Sequence, residues 1–320
     1  MSDGGSGRVV VLAGGVGGAK LAHGLQAHLG DRLTVVVNTA DDLERHGLLV
    51  MPDHDTVMYT LAGLANQEQG WGLEGETFAA SEMLGRYGEE TWFRLGDRDL
   101  ATHIARTARL RSGQRLTDAC RALQHSLGVA ATILPMTDDH VRTEVHVDEG
   151  WIDFQDYFVA RRQEPEVRDI RFRGVEKAHT SNDARDALKA VNLVVIAPSN
   201  PLVSIAPILA VRGVRQAIGD ARMHGAKIVA VSGIVGGKAL KGPADRMLVS
   251  LGHESSALGV ARIYADVATD FVLDAVDAAQ AGAIQELGIR AHVTDTIMAD
   301  DAGRARLAAE ILAIGGLTAA

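Results

Sequence analysis

The sequence predicts an α/β protein with a Rossmann-like, doubly wound, mainly parallel sheet, a helical insertion and a small antiparallel annex. Three observations carry that prediction. Short β-branched runs recur with helix-patterned stretches between them, as buried parallel strands do. The first run leads directly into a cluster of glycines that opens a helix, "VVVLAGGVGGAKL" at residues 9–21. The strand pattern then lapses through the middle of the chain, where amphipathic helical spacing takes over.

Taken in order, residues 8–13 and 33–37 read as the first two strands, and a helical stretch from about Gly18 between them makes a βαβ opening. Residues 56–128 read as mostly helical, with amphipathic candidates near 56–66, 77–87, 99–112 and 116–127. Residues 130–173 hold strand-like pieces, "VRTEVHV" and "VRDIRFRG", around the aromatic segment "WIDFQDYFVARRQ", and predict the antiparallel annex. "EKAHTSND" offers Ser181 or Asn182 as the N-cap of a following helix. Strand runs return in "LVVIAPSNP" at 193–201, "AKIVAVSGIVGG" at 226–237 and "TDFVLD" at 269–274, so the sheet is built from both ends of the chain. The expected division is a nucleotide-binding core of residues 8–55 and 185–318, with 56–184 as helical insertion and acceptor-side annex.

Composition narrows the function. With 47% hydrophobic residues the chain can bury a large core, yet no apolar run reaches the roughly 20 residues that cross a bilayer. A soluble, cytoplasmic protein without membrane partners is expected. The single cysteine, Cys120, excludes an internal disulfide and a cysteine-rich metal site, and reads as a small buried hydrophobe. A formal net charge of −9 argues against nucleic-acid binding and leaves room for a small anion in a local basic pocket. "MSDGGSGR" has neither the basic start nor the apolar core of a secretory signal and reads as a frayed tail.

Two glycine-rich loops suggest phosphate binding. Gly14, Gly15, Gly17 and Gly18 follow a strand and open a helix, so amide groups and the helix N-terminus can face an anion, with Lys20 nearby. The spacing matches neither G-x-G-x-x-G nor G-x-x-x-x-G-K-[ST], and alone it also fits a plain strand-to-helix turn. "SGIVGGKALKGPADR" at 232–246 repeats the arrangement with Gly236, Gly237 and Lys238, followed by Lys241 and Arg246. "APSNPLVS" leaves another strand and offers Ser199, Asn200 and Ser204 as hydrogen-bonding groups or helix caps.

Asp41, Asp42, Asp53 and Asp55 fall within fifteen residues after the second strand. Hard oxygen ligands beside a phosphate site suit Mg²⁺, leaving a carboxylate to deprotonate an attacking hydroxyl. Some of the four can equally cap a turn or helix, and their separate roles stay open here. "WFRLGDRDLATH" presents Arg94, Asp97, Arg98 and Asp99 just before a helix, arginines for phosphate or a planar ring, aspartates for capping. His46, His54 and His103 lack a metal-site spacing, so no zinc centre is expected. Trp151, Phe154, Tyr157 and Phe158 suit either a ring-binding wall or a core.

Together these segments resemble the 2-phospho-L-lactate transferase family of coenzyme F420 biosynthesis, including its bacterial phosphoenolpyruvate-using members. The carriers are "LAGGVGGAK", "VNTADD", "HGL", "PDHDTVMYTLAGL", "GDRDLATH", "LRSG", "LPMTDD", "FQDYFVARR", "APSNPLVSI" and "GIVGGKALKGPADRM", spread over nearly the whole chain. One departure is Ser232-Gly233, where the family generally has proline after the serine. The resemblance implies transfer of a 2-phospholactyl or enolpyruvyl-phosphate group from a guanosine diphosphate diester to the ribityl hydroxyl of a deazaflavin, with Mg²⁺ required, GMP released and a homodimer as the assembly. It implies Asp53 and Asp55 near the acceptor hydroxyl or the metal, with Arg94 and Arg98 beside the acceptor, Asp41 and Asp42 as metal candidates, and both glycine loops with Lys20, Ser199, Asn200 and Lys238 on the nucleotide. A rival reading is a nonenzymatic nucleotide-sugar-binding regulator of related fold, against which "PDHDT", "GDRD" and the aromatic annex weigh. A dehydrogenase is disfavoured because Asn38-Thr39 stands where an acidic ribose-binding residue belongs.

Overall fold

Val9–Ala13 (β1) is buried along its whole length, as a strand covered on both faces must be. It is an interior strand of a seven-stranded sheet with Leu33–Val37 (β2), Thr132–Pro135 (β3), Leu193–Ile196 (β4), Lys227–Val231 (β5), Asp270–Asp274 (β6) and Arg290–Thr294 (β7). The spatial order is β7-β6-β5-β4-β1-β2-β3 and every pairing is parallel, with Val9 flanked by Leu33 and Leu193. The chain therefore winds outward one way through β2 and β3, then restarts beside β1 and winds the other way. The β1/β4 junction is the switch point at which open α/β sheets leave a crevice. The structure, a computed structural model, describes residues 7–319, and residues 1–6 of the expected frayed tail lie outside it.

Helices cover both faces. On one, Gly15–Leu29 (α1) and Pro52–Leu61 (α2) pack with the C-terminal helix Asp301–Ile314 through Leu21, Leu25, Val57, Met58, Leu307 and Ile311. The α1 crossing is close, since a Cβ on Gly24 would sit 2.2 Å from the Arg304 carbonyl oxygen. On the other face Ile205, Ile208, Val214, Ile218, Leu248 and Val260 cover Leu12, Val194 and Ile196. Among the described residues no helix is long and apolar enough to cross a membrane.

The middle of the chain departs from the expected division in two places. A boundary between 55 and 56 cuts through α2, whose Val57 and Met58 belong to the core, so this helix is no part of an insertion. The segment 56–184 also returns a strand to the main sheet, because β3 pairs with β2, Thr34 opposite Thr132. Its four residues, TILP, carry no pattern that separates an edge strand of the large sheet from a strand of the annex. The other expected helices form as Ala79–Arg86 (α3), Asp97–Arg111 (α4) and Leu116–Ser126 (α5). The annex is a three-stranded antiparallel sheet with Arg142–Val147 between Gly150–Asp153 and Asp169–Arg173. A π-helical turn, Asp156–Ala160, follows its aromatic strand. Ser181 is the cap of Asn182–Lys189, its Oγ accepting the Ala184 N–H at 3.1 Å.

Candidate active site

A cavity of about 720 Å³ opens over the carboxyl ends of β1 and β4. One wall is the first glycine loop. Gly15 takes φ +61°, a left-handed conformation that favours glycine, and the others are required by close approach. A Cβ on Gly14 would lie 2.6 Å from Asp53 Oδ2, one on Gly17 2.3 Å from the Pro198 carbonyl oxygen, and one on Gly18 2.8 Å from Ser199 Oγ. Ser199 Oγ accepts the Gly14 N–H at 3.1 Å and donates to the Gly14 carbonyl at 2.6 Å, tying the loops after β1 and β4 together across the switch point. Asn200 accepts the Leu202 N–H at 2.9 Å. Both residues line the cavity while their side chains hold its backbone, and Ser204 lines it beside them.

The carboxylates separate into unlike environments. Pro52 opens α2, where its missing N–H costs nothing, and places Asp53 in the first turn facing Gly14. Asn38 Nδ2 donates to Asp53 Oδ2 at 3.0 Å, and the Ala40 N–H bonded to Asn38 Oδ1 fixes the amide's orientation. Burial pushes the Asp53 carboxyl up to about 6 against the pull of Asn38 and the Gly15 amide. Asp41 lines the same cavity with Oδ1 unpartnered, and burial followed by the Asp53 charge pushes it well above the usual carboxylate range. Burial does the same to Asp42, opposed by the Arg142 charge, but Asp42 lies outside the cavity lining. Of the two residues expected at a metal, each has an unpartnered Oδ1, and Asp41, which lines the cavity, is the one placed to take a hard cation.

Asp55 is a different kind of group. It is buried, which alone would raise its pKa, but the Arg106 guanidinium donating to its Oδ1, His54 and His103 outweigh burial and hold it well below the usual range. Arg106 is itself fully buried and also donates to the Leu49 carbonyl at 3.2 Å. Asp55 thus stays ionised and is a weak base, whereas Asp53 has the pKa of a proton acceptor at neutral pH.

A second wall of the cavity is aromatic. Trp71, Phe78, Trp92, Phe93, Phe154 and Phe158 line the cavity, and Phe154 stacks on Phe158 with ring centroids 5.4 Å apart. Arg94 joins this wall with its guanidinium 4.0 Å from the centre of the Phe78 ring. The rest of the expected set lies elsewhere. Arg98 donates to the Glu74 carbonyl at 2.5 Å and does not line the cavity. Tyr157 is in the annex core, and Trp151 lies under Arg171, its ring centre 4.2 Å from the guanidinium. Lys20 bonds the Met298 carbonyl at 3.1 Å, with burial and then the Arg304 and Lys241 charges lowering its pKa. Gly236 and Gly237 form the turn of a small hairpin outside the cavity lining, Lys238 opens its second strand, and the Lys238 side chain is 81% exposed. That loop reaches the site further on, through Lys241, Gly242 and Pro243.

Several contacts here were not read from sequence. Tyr59 donates to Asp99 Oδ1 at 2.6 Å, and His103 lies between Asp55 and Asp99. Asp99, His103 and Arg106 recur at helical spacing in "GDRDLATHIAR", a polar stripe that marks one face of α4 and was the available signal. Asp97 accepts the Ala79 and Ala80 N–H groups at 3.0 and 2.9 Å, while Glu76 accepts the Arg98 and Asp99 N–H groups at 2.8 and 3.2 Å. Each helix start is capped from the other's flank, which local sequence does not disclose.

The fold is similar to that of a UPF0052 family member from Bacillus halodurans, with a TM-score of 0.66 over 96% of this chain and 99% of that one at 14% identity. Sequence relatives are nearer. The chain is 42% identical to a phosphoenolpyruvate transferase of Streptomyces griseus over 312 residues, 95% of this chain and 97% of the relative. It is 40% identical to a 2-phospho-L-lactate transferase of Methanosarcina mazei over 291 residues, 91% of this chain and 94% of the relative. The family model described as 2-phospho-L-lactate transferase CofD matches residues 9–306. With the switch-point cavity, the glycine wall and the carboxylates all inside that span, the chain belongs to the 2-phospho-L-lactate transferase family and is a transferase.

Proposed function

We propose that the protein transfers a 2-phospholactyl or enolpyruvyl-phosphate group from a guanosine diphosphate diester to the ribityl hydroxyl of 7,8-didemethyl-8-hydroxy-5-deazariboflavin, as a step of coenzyme F420 biosynthesis. The observation that carries this reading is the place of Asp53, between the N-terminus of α1 and the aromatic wall, with its carboxyl at about 6. The amides opening α1 take the donor's diphosphate, and the aromatic rings with Arg94 take the planar acceptor. Asp53 accepts the proton of the attacking hydroxyl as its oxygen bonds to the phosphorus bearing the small acid, and the bond from that phosphorus to the GMP phosphate breaks. Positioning and charge neutralisation carry most of the acceleration. Mg²⁺ fits at Asp41, and when bound it would neutralise and polarise the phosphoryl oxygens. The reading includes a homodimer, which light scattering on the purified protein checks.

The test is mass spectrometry of the product formed from each synthetic donor with the deazaflavin, alongside GMP release. One donor is expected to give a phosphodiester product and stoichiometric GMP. Failure of both donors with Mg²⁺ present overturns the proposal.

A further inference from the structure

Beneath the aromatic wall, α2 and α4 bring together three side chains that the phosphoryl-transfer reading does not use as a group. Asp55, Asp99 and His103 each offer a ligand atom, and these atoms all lie within 4.8 Å of one another. His103 Nε2 is 3.3 Å from Asp99 Oδ2 and His103 Nδ1 is 3.6 Å from Asp55 Oδ2. All three residues line the cavity, so an ion has a way in.

Two independent features point to a ligand at this cluster. Asp55 Oδ2 and His103 Nε2 have no hydrogen-bond partner, although the Asp55 side chain is 5% exposed and that of His103 1% exposed. Leaving such groups without a hydrogen bond is costly unless something binds them. The second feature is what holds the other atoms. Asp55 Oδ1 takes the Arg106 guanidinium and Asp99 Oδ1 takes the Tyr59 hydroxyl at 2.6 Å, so each carboxylate is gripped on one oxygen and presents the other. Outer partners of this kind orient metal ligands. The Arg106 Nη1 contact to His103 Nδ1, at 3.5 Å, is too long to lock the ring in the tautomer that would protonate Nε2.

We propose that Asp55, Asp99 and His103 form a second divalent-cation site, separate from Mg²⁺ at Asp41 and independent of the transfer reaction assigned above. Two carboxylates and one imidazole make a borderline ligand set that suits Mn²⁺, Fe²⁺, Co²⁺ or Zn²⁺ better than Mg²⁺. Three protein ligands leave coordination positions open toward the cavity, as sites that also hold water or substrate do.

The experiment adds Mn²⁺ to the full-length protein stripped of metal and records pulsed electron paramagnetic resonance. Imidazole ligation shows as ¹⁴N coupling to the manganese, which an all-oxygen site at Asp41 cannot give. The expected result is ¹⁴N coupling in the wild type, its loss in His103→Gln, and an affinity for that ion about tenfold weaker in Tyr59→Phe. Saturating Mn²⁺ without ¹⁴N coupling in the wild type overturns the proposal, and this arm does not depend on any variant folding. Coupling that persists in folded His103→Gln also overturns it. The product assay above reads the transfer reaction separately, so either idea can fail alone.

Discussion

The two glycine-rich loops look alike in sequence and do unlike work. In residues 14–18 the glycines are required mainly by space, because Gly14, Gly17 and Gly18 lie where a Cβ would strike the neighbouring strand's loop or Asp53. In the hairpin that joins Ile234–Val235 to Lys238–Ala239, Gly236 and Gly237 have φ +57° and +78°, and a Cβ there would meet nothing closer than 3.8 and 3.5 Å. They answer the backbone twist of a two-residue hairpin turn. Only the first kind lines the cavity, and there the neighbours crowd the glycines.

The strongest challenge to that contrast is Gly17→Ala. Its Cβ would overlap the Pro198 carbonyl oxygen and force α1 away from the β4 loop, destabilising the fold by about 1–3 kcal/mol. Calorimetric titration should show GDP binding weakened a hundredfold or more, and wild-type affinity in this variant would refute the crowding account. Asp53→Asn comes next, with kcat expected to fall by about 10²–10⁴ while GDP affinity stays within a few fold. In the wild type kcat/KM should rise as pH climbs through about 6, and the variant should lose that limb. Stability moves the opposite way. The folded carboxyl titrates at about 6 against an ordinary 3.8, so its contribution favours the fold below 3.8 and is lost as pH rises through 6. Asp53→Asn should therefore gain up to about 3 kcal/mol at pH 7.5, read by urea denaturation, where equal or lower stability would refute the burial argument.

Ser199→Ala removes the tie between the two loops and leaves the buried Gly14 N–H unpaired, a cost of about 1–3 kcal/mol visible as a lowered Tm. The smallest effects belong to the hairpin. Gly237→Ala should cost about 1 kcal/mol through its positive φ and leave GDP binding unchanged. Lys238→Ala should shift stability by less than about 0.5 kcal/mol. A marked loss of GDP affinity in either would return this hairpin to the binding site.

The sheet was legible because its central strands are continuous apolar runs, and a run such as VVVLA permits little else. The thin edges were not. TILP of β3 and the half-exposed RAHVT of β7 carry too little hydrophobic pattern to declare a partner. At the site, sequence proximity drew Asp41, Asp42, Asp53 and Asp55 together, but burial and partners 15 to 51 residues away sort them. Asp55 is defined by Arg106, which lies 51 residues on, and Asp53 by Asn38 at the end of β2. The residues that tie Ser199 to Gly14 stand 185 apart, and only the meeting of β1 and β4 joins them.

The reciprocal caps of α3 and α4 also make residues 76–99 a loop latched at its own base. Glu76 secures the start of α4, Asp97 the start of α3, and the Thr77 hydroxyl bonds Asp97 at 2.6 Å, so neither helix start frays without loosening the other. The aromatic wall from Phe78 to Phe93 hangs inside that closure. Its amide protons should exchange as one cooperative unit. The Thr77 hydroxyl and the Ala80 amide hold Asp97 below its ordinary range, so this latch is strong above that range and slips as pH falls through it. Acid would then loosen Phe78, Trp92 and Phe93 together, while the glycine wall, held by packing, stays in place.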